Sequence, residues 1–505
     1  MKMLRAKLPA VALALLAALA VTTPAARAED PAAKPVEDKT AKSDRAELGG
    51  VLALLPDDSV TKHTLAVSGQ KLAYTATAGT LALRDDKGAR SASVFYTAYT
   101  VAGDPKTRPV AFFFNGGPGA GSAFLHLGAA GPVVLQFPEQ ETDGIDAKLV
   151  DNPDSWLPFA DLVFIDAVGT GWSRPAKPET AGADFWGVKQ DAAACAKAVA
   201  LWLAKSGRTA SPKYLIGESY GGLRAIKTAR DLQAKQGVLV NGIVMISPLI
   251  EWPFLQEADD NPVAEALHLP SFIAAALDRR HNFDPRTMDE FYSYALNEYL
   301  TTIAGPPLEG EAAKAFYAKL AGLTDLPEAV IARHRGVLDP GAHDVRADDG
   351  RLRSVYDFTV STEDPFPEGT GPFVDPLLHG YARAYGAAMT GYAAESLGFK
   401  TDLTYELLAD EVSAKWDQRN DGSGGIDDLR QMLALDPALH VLVAHGWFDV
   451  LTPFAVSRFL IDHLPVGRDR VTLKTYPGGH MLYIRASSRA AFAKDVSALF
   501  APVGK

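Results

Sequence analysis

The sequence has little cysteine and little positive charge. Cys195 is the only cysteine among the 505 residues, so no disulfide can form within the chain. It lies in an alanine-rich helical pattern, "DAAACAKAVALWLAK", that offers no activating base, and we predict a buried, inert thiol there. The chain carries 50 Lys and Arg against 61 Asp and Glu, a net charge of −11, and has no basic cluster beyond its extreme N terminus. This balance argues against a nucleic-acid partner, because binding to a polyanion requires clustered cations.

Long apolar runs are also scarce, and one alone, near the N terminus, approaches the length of a membrane span. Three basic residues precede "LPAVALALLAALAV", and Ala26–Ala28 offers small residues at a cleavage point. A membrane anchor is the alternative, but the run is shorter than the roughly 20 residues that a spanning helix needs. We therefore predict a signal peptide over 1–28 and a flexible leader over the charged, proline-containing stretch 29–45. The mature protein is predicted to be exported, periplasmic or secreted, with no membrane span.

The rest of the chain has the composition of a large globular protein, with 47% hydrophobic and 22% charged residues. Between about residues 63 and 102, dense β-branched and aromatic residues predict antiparallel hairpins. Short apolar runs then alternate with helical segments: "PVAFFF", "DLVFIDA", "KYLIG", "GIVMIS", "HVLVAHG" and "VTLKTY". Continuous apolarity is typical of strands buried on both faces, so we predict an α/β fold with a mostly parallel central sheet and helices on both faces.

The pattern changes between about residues 253 and 400. This stretch is rich in proline and in helical segments such as "SFIAAALDRR" and "GEAAKAFYAKLAGL", and it lacks the short apolar runs. We interpret 253–400 as a mainly helical cap that is inserted between a first part of the core, 46–252, and a second part, 401–505.

A candidate nucleophile lies in "KYLIGESYGGLRAIKTARDL", which begins as a strand, turns at Gly217–Gly221 and continues as a helix. This is the context that a G-x-S-x-G pattern requires. The residues two before and two after the serine must be small, because strand and helix approach closely there, and the turn then holds the Ser219 hydroxyl above the sheet. A capping serine in an ordinary strand-to-helix turn is the alternative. The strand before the pattern and the helix after it favour the nucleophile.

A serine nucleophile of this kind needs a histidine later in the chain, with an acid between the two. Four histidines follow the last cap segment, and His480 alone lies in a loop just past a strand, in "LKTYPGGHML". His440 and His445 flank or end the strand "VLVAHG", and His463 belongs to a helical pattern. Structural roles are predicted for those three, and His480 is the candidate general base.

The acid is expected at the end of the strand before His480. "HVLVAHGWFDVLTP" supplies Asp449 in a loop after a strand. The alternative role for Asp449 is an N-cap of the helix at "PFAVSRFLIDHL", because Asp is a favoured capping residue. Asp462 belongs to a helical pattern and is the weaker candidate. Asp449 is therefore predicted to orient His480.

The glycine-rich stretch "VAFFFNGGPGAGS", Val110 to Ser122, follows an apolar strand and could hold either a phosphate or an oxyanion. A dinucleotide site would need an acid at the end of the next strand, and none follows. A phosphate-binding P-loop would need a lysine, and the stretch has none. The loop also precedes the serine turn on an earlier strand, where hydrolases of this kind place half of the oxyanion hole. We predict an oxyanion loop, with the N–H of Tyr220 as the second donor.

Taken together these residues resemble the serine carboxypeptidases, a branch of the α/β-hydrolases, and the chain resembles an exported bacterial member. The motifs are "FFFNGGPG", "NPDSW", "ADLVFIDAVGTGWSRP", "IGESYGG", "VLVAHGWFDV" and "PGGHM", in family order from about Pro109 to the C terminus. The resemblance implies the α/β-hydrolase fold with an inserted helical cap. It implies a catalytic triad in which Ser219 is the nucleophile, His480 the general base and Asp449 the acid that orients it. It also implies that Gly117 and Tyr220 donate to the oxyanion, and that the substrate's free C-terminal carboxylate is bound by Asn115, Gly116 and Glu218. The resemblance also implies that Glu218 is protonated when it donates to that carboxylate.

Three departures from the family pattern bear on the substrate. The family carries a second carboxylate in an E-L-G-P segment, where this chain has Ala129–Pro132. The cysteine usual after the glycine loop is Ala120, and the tryptophan before it is Phe113. The loop "DAVGTG" lacks the usual proline. We expect the chemistry to survive all three, whereas the first weakens the expectation of an acidic pH preference and of strict carboxylate recognition.

The resemblance therefore predicts a serine-type carboxypeptidase that hydrolyses C-terminal residues from peptides through an acyl-enzyme. No metal or organic cofactor is implied, and no histidines are spaced for zinc. The alternative function is an esterase or acyltransferase that uses the same serine, histidine and aspartate. A binding protein that has lost catalysis is a further alternative, which the filled triad positions disfavour.

Overall fold

The structure is a computed structural model that describes residues 49–67, 69–138, 146–255, 261–338, 350–368, 374–417 and 424–501. The predicted signal peptide over 1–28 and the predicted leader over 29–45 lie outside these residues.

The described residues form a large mixed sheet and two small hairpins. In chain order the strands are β1 (Ser59–Val67), β2 (Gln70–Arg84), β3 (Arg90–Thr100), β4 (Val110–Phe114), β5 (Val133–Gln136), β6 (Lys148–Asp151), β7 (Asp161–Ile165), β8 (Arg174–Pro175), β9 (Lys213–Glu218), β10 (Gly242–Ile246), β11 (Arg351–Arg353), β12 (Ser361–Glu363), β13 (His440–Gly446) and β14 (Val471–Tyr476). Across the large sheet they lie in the order β1-β2-β3-β7-β4-β9-β10-β13-β14, with β8 beside β3. β5 pairs with β6, and β11 with β12.

Helices cover the sheet, eight of those in the described residues lying between β10 and β13. They are α1 (Ala123–Leu125), α2 (Ala181–Phe185), α3 (Val188–Lys205), α4 (Tyr220–Asp231), α5 (Pro262–Arg279), α6 (Met288–Tyr294), α7 (Leu300–Ile303), α8 (Gly310–Thr324), α9 (Glu328–Arg333), α10 (Pro376–Glu395), α11 (Asp410–Ala414), α12 (Ile426–Leu435), α13 (Phe454–Asp462) and α14 (Ala486–Phe500). Single π-helical turns continue three of them, at His126–Ala130, Leu232–Gln236 and Ala295–Tyr299.

The central strands are parallel and buried on both faces, as their continuous apolarity predicts. β4 pairs in parallel with β7 on one side and β9 on the other. Its side chains alternate between two core clusters: Phe112 and Phe114 pack into one, and Phe113 packs into the other. Full burial of a phenylalanine side chain contributes about 1.5–3 kcal/mol to the free energy of folding, so the three phenylalanines of β4 stabilise both core clusters. The arrangement is that of an α/β-hydrolase, which confirms the predicted fold class.

The hairpins predicted between residues 63 and 102 are confirmed. β1 pairs antiparallel with β2 in a continuous register, and β2 pairs antiparallel with β3 in a long register that shifts between Leu83 and Arg84. β1 alternates mostly between exposed and less exposed positions and β2 mostly between buried and half-buried ones, because one face of each strand is more solvated than the other.

The prediction that every apolar run is buried on both faces is wrong for β14. This strand pairs only with β13 and forms one edge of the sheet. Thr472 and Lys474 are exposed, whereas Val471 and Tyr476 are buried. An edge strand has one neighbour and a partly solvated surface, so its sequence carries polar residues at alternate positions.

No strand of the large sheet comes from the described residues between β10 and β13. Eight helices, α5 to α12, and the β11–β12 hairpin lie there. α5 is buried from Ala264 to Ala276 and packs against α13. The boundaries of the predicted cap, 253–400, and of the two core parts stay predictions.

Cys195 is buried in α3, as predicted. Its Sγ lies 3.9 Å from Asp191 Oδ1, and burial, together with that carboxylate, raises the pKa of the thiol well above its ordinary value. The thiol therefore stays protonated, which agrees with the absence of an activating base in the sequence. Within the ranges described, no helix is both long enough and apolar enough to cross a membrane.

Candidate active site

Ser219 occupies a sharp turn between β9 and α4. Its backbone has φ 59° and ψ −129°, a left-handed conformation that is uncommon for a residue with a side chain. A Cβ on Gly217 would lie 1.8 Å from the carbonyl oxygen of Gly221, and one on Gly221 would lie 2.5 Å from that of Phe114. Both glycines are therefore required by the close approach of strand, helix and neighbouring strand. This is the strand–turn–helix context that the sequence predicts.

The strand order brings the predicted nucleophile, acid and base to one edge of the sheet. Ser219 follows β9, Asp449 follows β13 and His480 follows β14, and these strands run parallel. Loops after parallel strands meet at the carboxyl edge, where α/β proteins bind their ligands. Asp449 and His480 are buried, whereas Ser219 is partly exposed.

Asp449 and His480 form a buried hydrogen-bonded pair. His480 Nδ1 lies 2.8 Å from Asp449 Oδ2. The other carboxylate oxygen accepts from the backbone N–H groups of Leu451 at 2.9 Å and Thr452 at 3.0 Å. These bonds shape the turn before α13, but the residue at the N-cap of that helix is Pro453. The alternative role as the helix N-cap is therefore wrong, and the carboxylate is directed at the imidazole.

Further groups that the sequence analysis missed hold this pair in place. The Thr452 hydroxyl lies 2.8 Å from Asp449 Oδ2, 2.8 Å from the carbonyl oxygen of Ser247 and 3.0 Å from His480 Nδ1. The His480 backbone N–H donates to the carbonyl oxygen of Tyr356 at 2.6 Å, and its carbonyl oxygen accepts from the Ser247 hydroxyl at 2.9 Å. The imidazole is thus fixed through its ring and through its backbone.

The electrostatics of this pair favour the charged imidazole. Burial by itself lowers the pKa of His480, but the Asp449 carboxylate and its hydrogen bond, with Glu218 and Asp375, raise it above the ordinary value. An imidazole that gains a proton beside a fixed carboxylate is stabilised, which is what a general base requires.

The glycine loop lies directly against the serine turn. A Cβ on Gly116 would lie 2.5 Å from the carbonyl oxygen of Glu218 and 2.7 Å from the backbone nitrogen of Tyr220. Gly117 and Gly119 have φ values of +100° and +115°, which side chains rarely tolerate. The loop that carries Gly117 and the N–H of Tyr220 are thus adjacent, as an oxyanion hole made of these two donors requires.

A buried ion pair between α3 and α4 holds the glycine loop in place. Arg224, on α4, lies with its Nε 2.7 Å from Asp191 Oδ2, on α3, and it also donates to the carbonyl oxygen of Asn115. The Tyr220 hydroxyl donates to the same carboxylate oxygen at 3.2 Å. Sequence reasoning missed this pair, because Arg224 and Asp191 each fit an ordinary helical pattern.

Glu218 is buried beside the nucleophile and is held by uncharged groups. Asn115 Nδ2 donates to one of its carboxylate oxygens, and the Tyr483 hydroxyl donates to the other at 2.7 Å. Burial raises the pKa of Glu218 to about 7, although His480 and the two hydrogen bonds oppose the shift. Glu218 can therefore carry a proton near neutral pH. Tyr483 was not identified from the sequence.

The other candidates from the sequence lie outside this network. His445 is buried, its Nε2 lies 2.8 Å from Ser457 Oγ, and burial lowers its pKa to about 4. His463 is exposed and bonds to the backbone of its own helix. Asp462 pairs with arginines at the end of α13. Nowhere in the described ranges do three or more His, Cys, Asp or Glu side chains form a group that could hold a metal ion.

The tight contact at Gly116 predicts a specific defect. Replacing Gly116 with alanine would push the loop away from the serine turn, because the new methyl group overlaps backbone atoms that cannot move aside. We expect kcat to fall by on the order of 10²-fold, as when one oxyanion donor is lost, and stability to fall by about 1–3 kcal/mol. The matched control is Gly322→Ala in α8, where no atom lies within 4 Å of the new Cβ. A Gly116→Ala protein with wild-type kcat would contradict this account of the loop.

Part of the chain that carries this site is similar to known proteins. The family model described as serine carboxypeptidase matches residues 69–242, which include the glycine loop and the serine turn. This stretch of the chain is similar to the serine carboxypeptidases. The matched stretch ends before Asp449 and His480, so the placement of these two residues rests on the structure.

Similar proteins include plant and fungal members of the family. The chain is 30% identical over 131 residues to serine carboxypeptidase-like 8 of Arabidopsis thaliana, covering 26% of this chain and 29% of that protein. It is 29% identical over 175 residues to carboxypeptidase Y homolog A of Trichophyton verrucosum, covering 32% and 28%. The alignments thus span less than a third of the length of either relative.

A solved structure similar to this chain is that of Kex1(delta)p, a prohormone-processing carboxypeptidase from Saccharomyces cerevisiae. The match covers 84% of this chain and 91% of that one, with a TM-score of 0.55 and 17% sequence identity. At this identity the likeness establishes the fold, and the activity has to be argued from the site.

Proposed function

We propose that this protein is a serine carboxypeptidase that removes single residues from the C terminus of peptides. The observation that carries the proposal is the buried Glu218–Asn115 pair immediately beside Ser219. A nucleophile with a protonatable acid and an amide donor next to it suits a substrate whose scissile bond lies one residue from a free carboxylate.

In the proposed first step, His480 Nε2 takes the proton of the Ser219 hydroxyl as the oxygen attacks the scissile carbonyl carbon. The N–H groups of Gly117 and Tyr220 donate to the oxyanion that forms. The intermediate collapses when the imidazolium returns the proton to the leaving amine, and the released amino acid leaves Ser219 acylated. Water then attacks the ester by the same route, which frees the shortened peptide and the serine.

Asp449 supports these reaction steps by holding the imidazole of His480 in place. Its hydrogen bond to Nδ1 leaves Nε2 free to accept the serine proton, and its charge stabilises the imidazolium. Because Asp449 is buried and accepts two backbone N–H groups, it stays in place through both steps.

Recognition of the substrate carboxylate depends on the protonation of Glu218. When Glu218 is protonated, it donates a hydrogen bond to that carboxylate together with Asn115 Nδ2 and the backbone N–H of Gly116. When it is ionised, the two negative charges repel each other in a buried site. The pKa of about 7 allows Glu218 to bind a free C terminus at mildly acidic to neutral pH. The proposed substrate is a peptide, and the predicted export over 1–28 would bring the enzyme to peptides outside the cytoplasm.

The test compares a blocked dipeptide that has a free C terminus with its C-terminal amide. At pH 6 we expect kcat/KM for the free acid to be on the order of 10²-fold higher, because charge-assisted hydrogen bonds are lost with the amide. The preference should decline above about pH 7 as Glu218 ionises. Both substrates should lose activity at lower pH, where His480 gains a proton.

Glu218→Gln is the matched variant, since glutamine donates a hydrogen bond at every pH. We expect its activity on the free acid to lack the decline above pH 7. Equal cleavage of acid and amide by the wild-type protein would contradict the carboxypeptidase proposal.

One observation favours a second candidate, an esterase or acyltransferase that uses the same Ser219, His480 and Asp449. Where the family carries its second acid this chain has Ala129, which is buried. Indifference to the free carboxylate, together with rapid turnover of a simple ester, would support this alternative.

A further inference from the structure

A tyrosine that follows His480 in the chain forms a hydrogen bond with Glu218, the buried acid next to Ser219. The loop after β14 that carries His480 is called the histidine loop below. Tyr483 lies three residues after His480, in the short helical turn Leu482–Ile484, and its hydroxyl donates to Glu218 Oε1 at 2.7 Å. Its side chain is fully buried. The connection joins the serine turn to the histidine loop.

The ring of Tyr483 is wedged against the turn where this chain has Ala129. A Cβ on Gly128 would lie 2.6 Å from the Tyr483 ring and 2.6 Å from the Tyr385 hydroxyl. The backbone of His126–Ala130 therefore packs directly on the two tyrosines. The ring has no room to turn away, so its hydroxyl is held in a fixed position relative to Glu218.

The two hydrogen bonds to Glu218 fix the plane of its carboxyl group. Asn115 Nδ2 donates to Oε2 and Tyr483 donates to Oε1, so each oxygen has one partner. A protonated carboxyl group has one O–H donor and can still accept hydrogen bonds. Tyr483 can therefore donate to Oε1 whether or not Glu218 is ionised, which leaves the proton of Glu218 for the substrate carboxylate.

The other groups that face Glu218 do not hold its carboxyl group by a hydrogen bond or an ion pair. His480, Asp449, Tyr356 and Tyr385 interact with it electrostatically, and within the described part of the chain no lysine or arginine forms an ion pair with it. The Tyr385 hydroxyl has no hydrogen-bond partner among the described residues. Burial, with the nearby Glu218 charge, raises the pKa of Tyr483 well above its ordinary value, so the phenol stays neutral throughout the working range.

We propose that Tyr483 is a positioning residue for substrate specificity, whose hydroxyl holds Glu218 in the orientation that binds the free carboxylate of a C-terminal residue. The inference rests on the proposed carboxypeptidase function and adds a residue to it.

The experiment compares Tyr483→Phe with Tyr385→Phe, which removes a buried hydroxyl from the same cluster without removing a hydrogen bond to Glu218. The first readout needs no substrate: infrared spectra across pH, with Glu218→Gln as the reference, follow the carbonyl stretch of protonated Glu218. Tyr483→Phe should raise the midpoint by about one pH unit, because a hydrogen bond to the ionised form is lost. Tyr385→Phe should leave it in place.

The second readout is the pH profile of kcat/KM on the acid and amide substrates. In Tyr483→Phe the decline on the free acid should move up by about the same amount, and KM at pH 6 should rise about tenfold, because the acid is no longer held in plane. The profile on the amide should not change. Melting temperatures of the two phenylalanine variants establish that both are folded.

Three outcomes separate the two proposals. An upward shift in both readouts with Tyr483→Phe alone supports the role of Tyr483. An unmoved midpoint, or an equal shift with Tyr385→Phe, overturns it and leaves the carboxypeptidase proposal standing. A wild-type protein without preference for the free acid overturns the carboxypeptidase proposal, and with it the specificity role of Tyr483, whatever the spectra show.

Discussion

Replacement of Ser219 by alanine is expected to lower kcat by on the order of 10⁶-fold, the largest effect of any single change in this chain. The hydroxyl is the proposed attacking group, and without it the Asp449–His480 pair has no proton to take. Alanine keeps the Cβ that already sits at φ 59°, so the turn gains no new strain and the protein should fold normally. Single-turnover hydrolysis of an ester or peptide measures the loss.

Covalent labelling provides an independent measurement of the same prediction. A fluorophosphonate should label the wild-type protein and fail to label Ser219→Ala. Ser206→Ala is a suitable control. Ser206 lies just after α3, and its hydroxyl donates to the carbonyl oxygen of Trp202, so its removal should not affect labelling. Retention of the label in Ser219→Ala would assign the nucleophile to another residue. Absence of label from the wild-type protein would contradict the proposal that it is an enzyme of this kind.

Asp449→Asn should lower kcat by on the order of 10⁴-fold while leaving the fold in place. The asparagine oxygen can still accept the backbone N–H groups of Leu451 and Thr452, so the turn keeps its shape. Its amide group, however, would donate to His480 Nδ1 and move the ring proton to Nε2. An imidazole in that tautomer cannot accept the proton of Ser219.

The pH dependence of Asp449→Asn adds a second measurement. The pKa of His480 should fall, because the charge that raises it is gone and burial, which lowers it, remains. The residual activity should therefore persist to lower pH than in the wild-type protein. Asp462→Asn, at the end of α13, is the matched control and should keep full activity. A fall of less than tenfold in Asp449→Asn would show that another group orients His480.

Much of this fold could be predicted because its central strands are buried on both faces and therefore form continuous apolar runs in the sequence. Runs such as "VAFFF" and "GIVMI" have no polar alternation, which is expected only where helices cover both faces of a sheet. The prediction failed at β14, where the run "VTLKTY" contains Thr472 and Lys474, and these are exposed at the sheet edge. Which strand lies at an edge depends on the order of pairing, and local composition does not specify that order.

The predicted site residues divide in a similar way. Ser219, Asp449 and His480 could be proposed from the sequence because each follows a predicted strand, and parallel strands end at a common edge. Tyr483 and Arg224 could not, because their partners lie far away in the chain: Glu218 for one, Asp191 and the backbone of Asn115 for the other. Long-range pairs between residues of ordinary local pattern leave no periodic signal in a sequence.

The pairing of β10 with β13 has a consequence for how the activity arises during folding. These neighbouring strands are joined in register from Gly242 and His440 onward, although almost two hundred residues separate them in the chain. Closing so long a loop is entropically costly and slow, so contacts of this kind form late. A chain that has folded only as far as β10 possesses the serine turn but lacks both the imidazole and its carboxylate. If Ser219, Asp449 and His480 act as proposed, such an intermediate has no hydrolytic activity. The protein then cannot cleave its own unfolded segments until its last strands have joined the sheet.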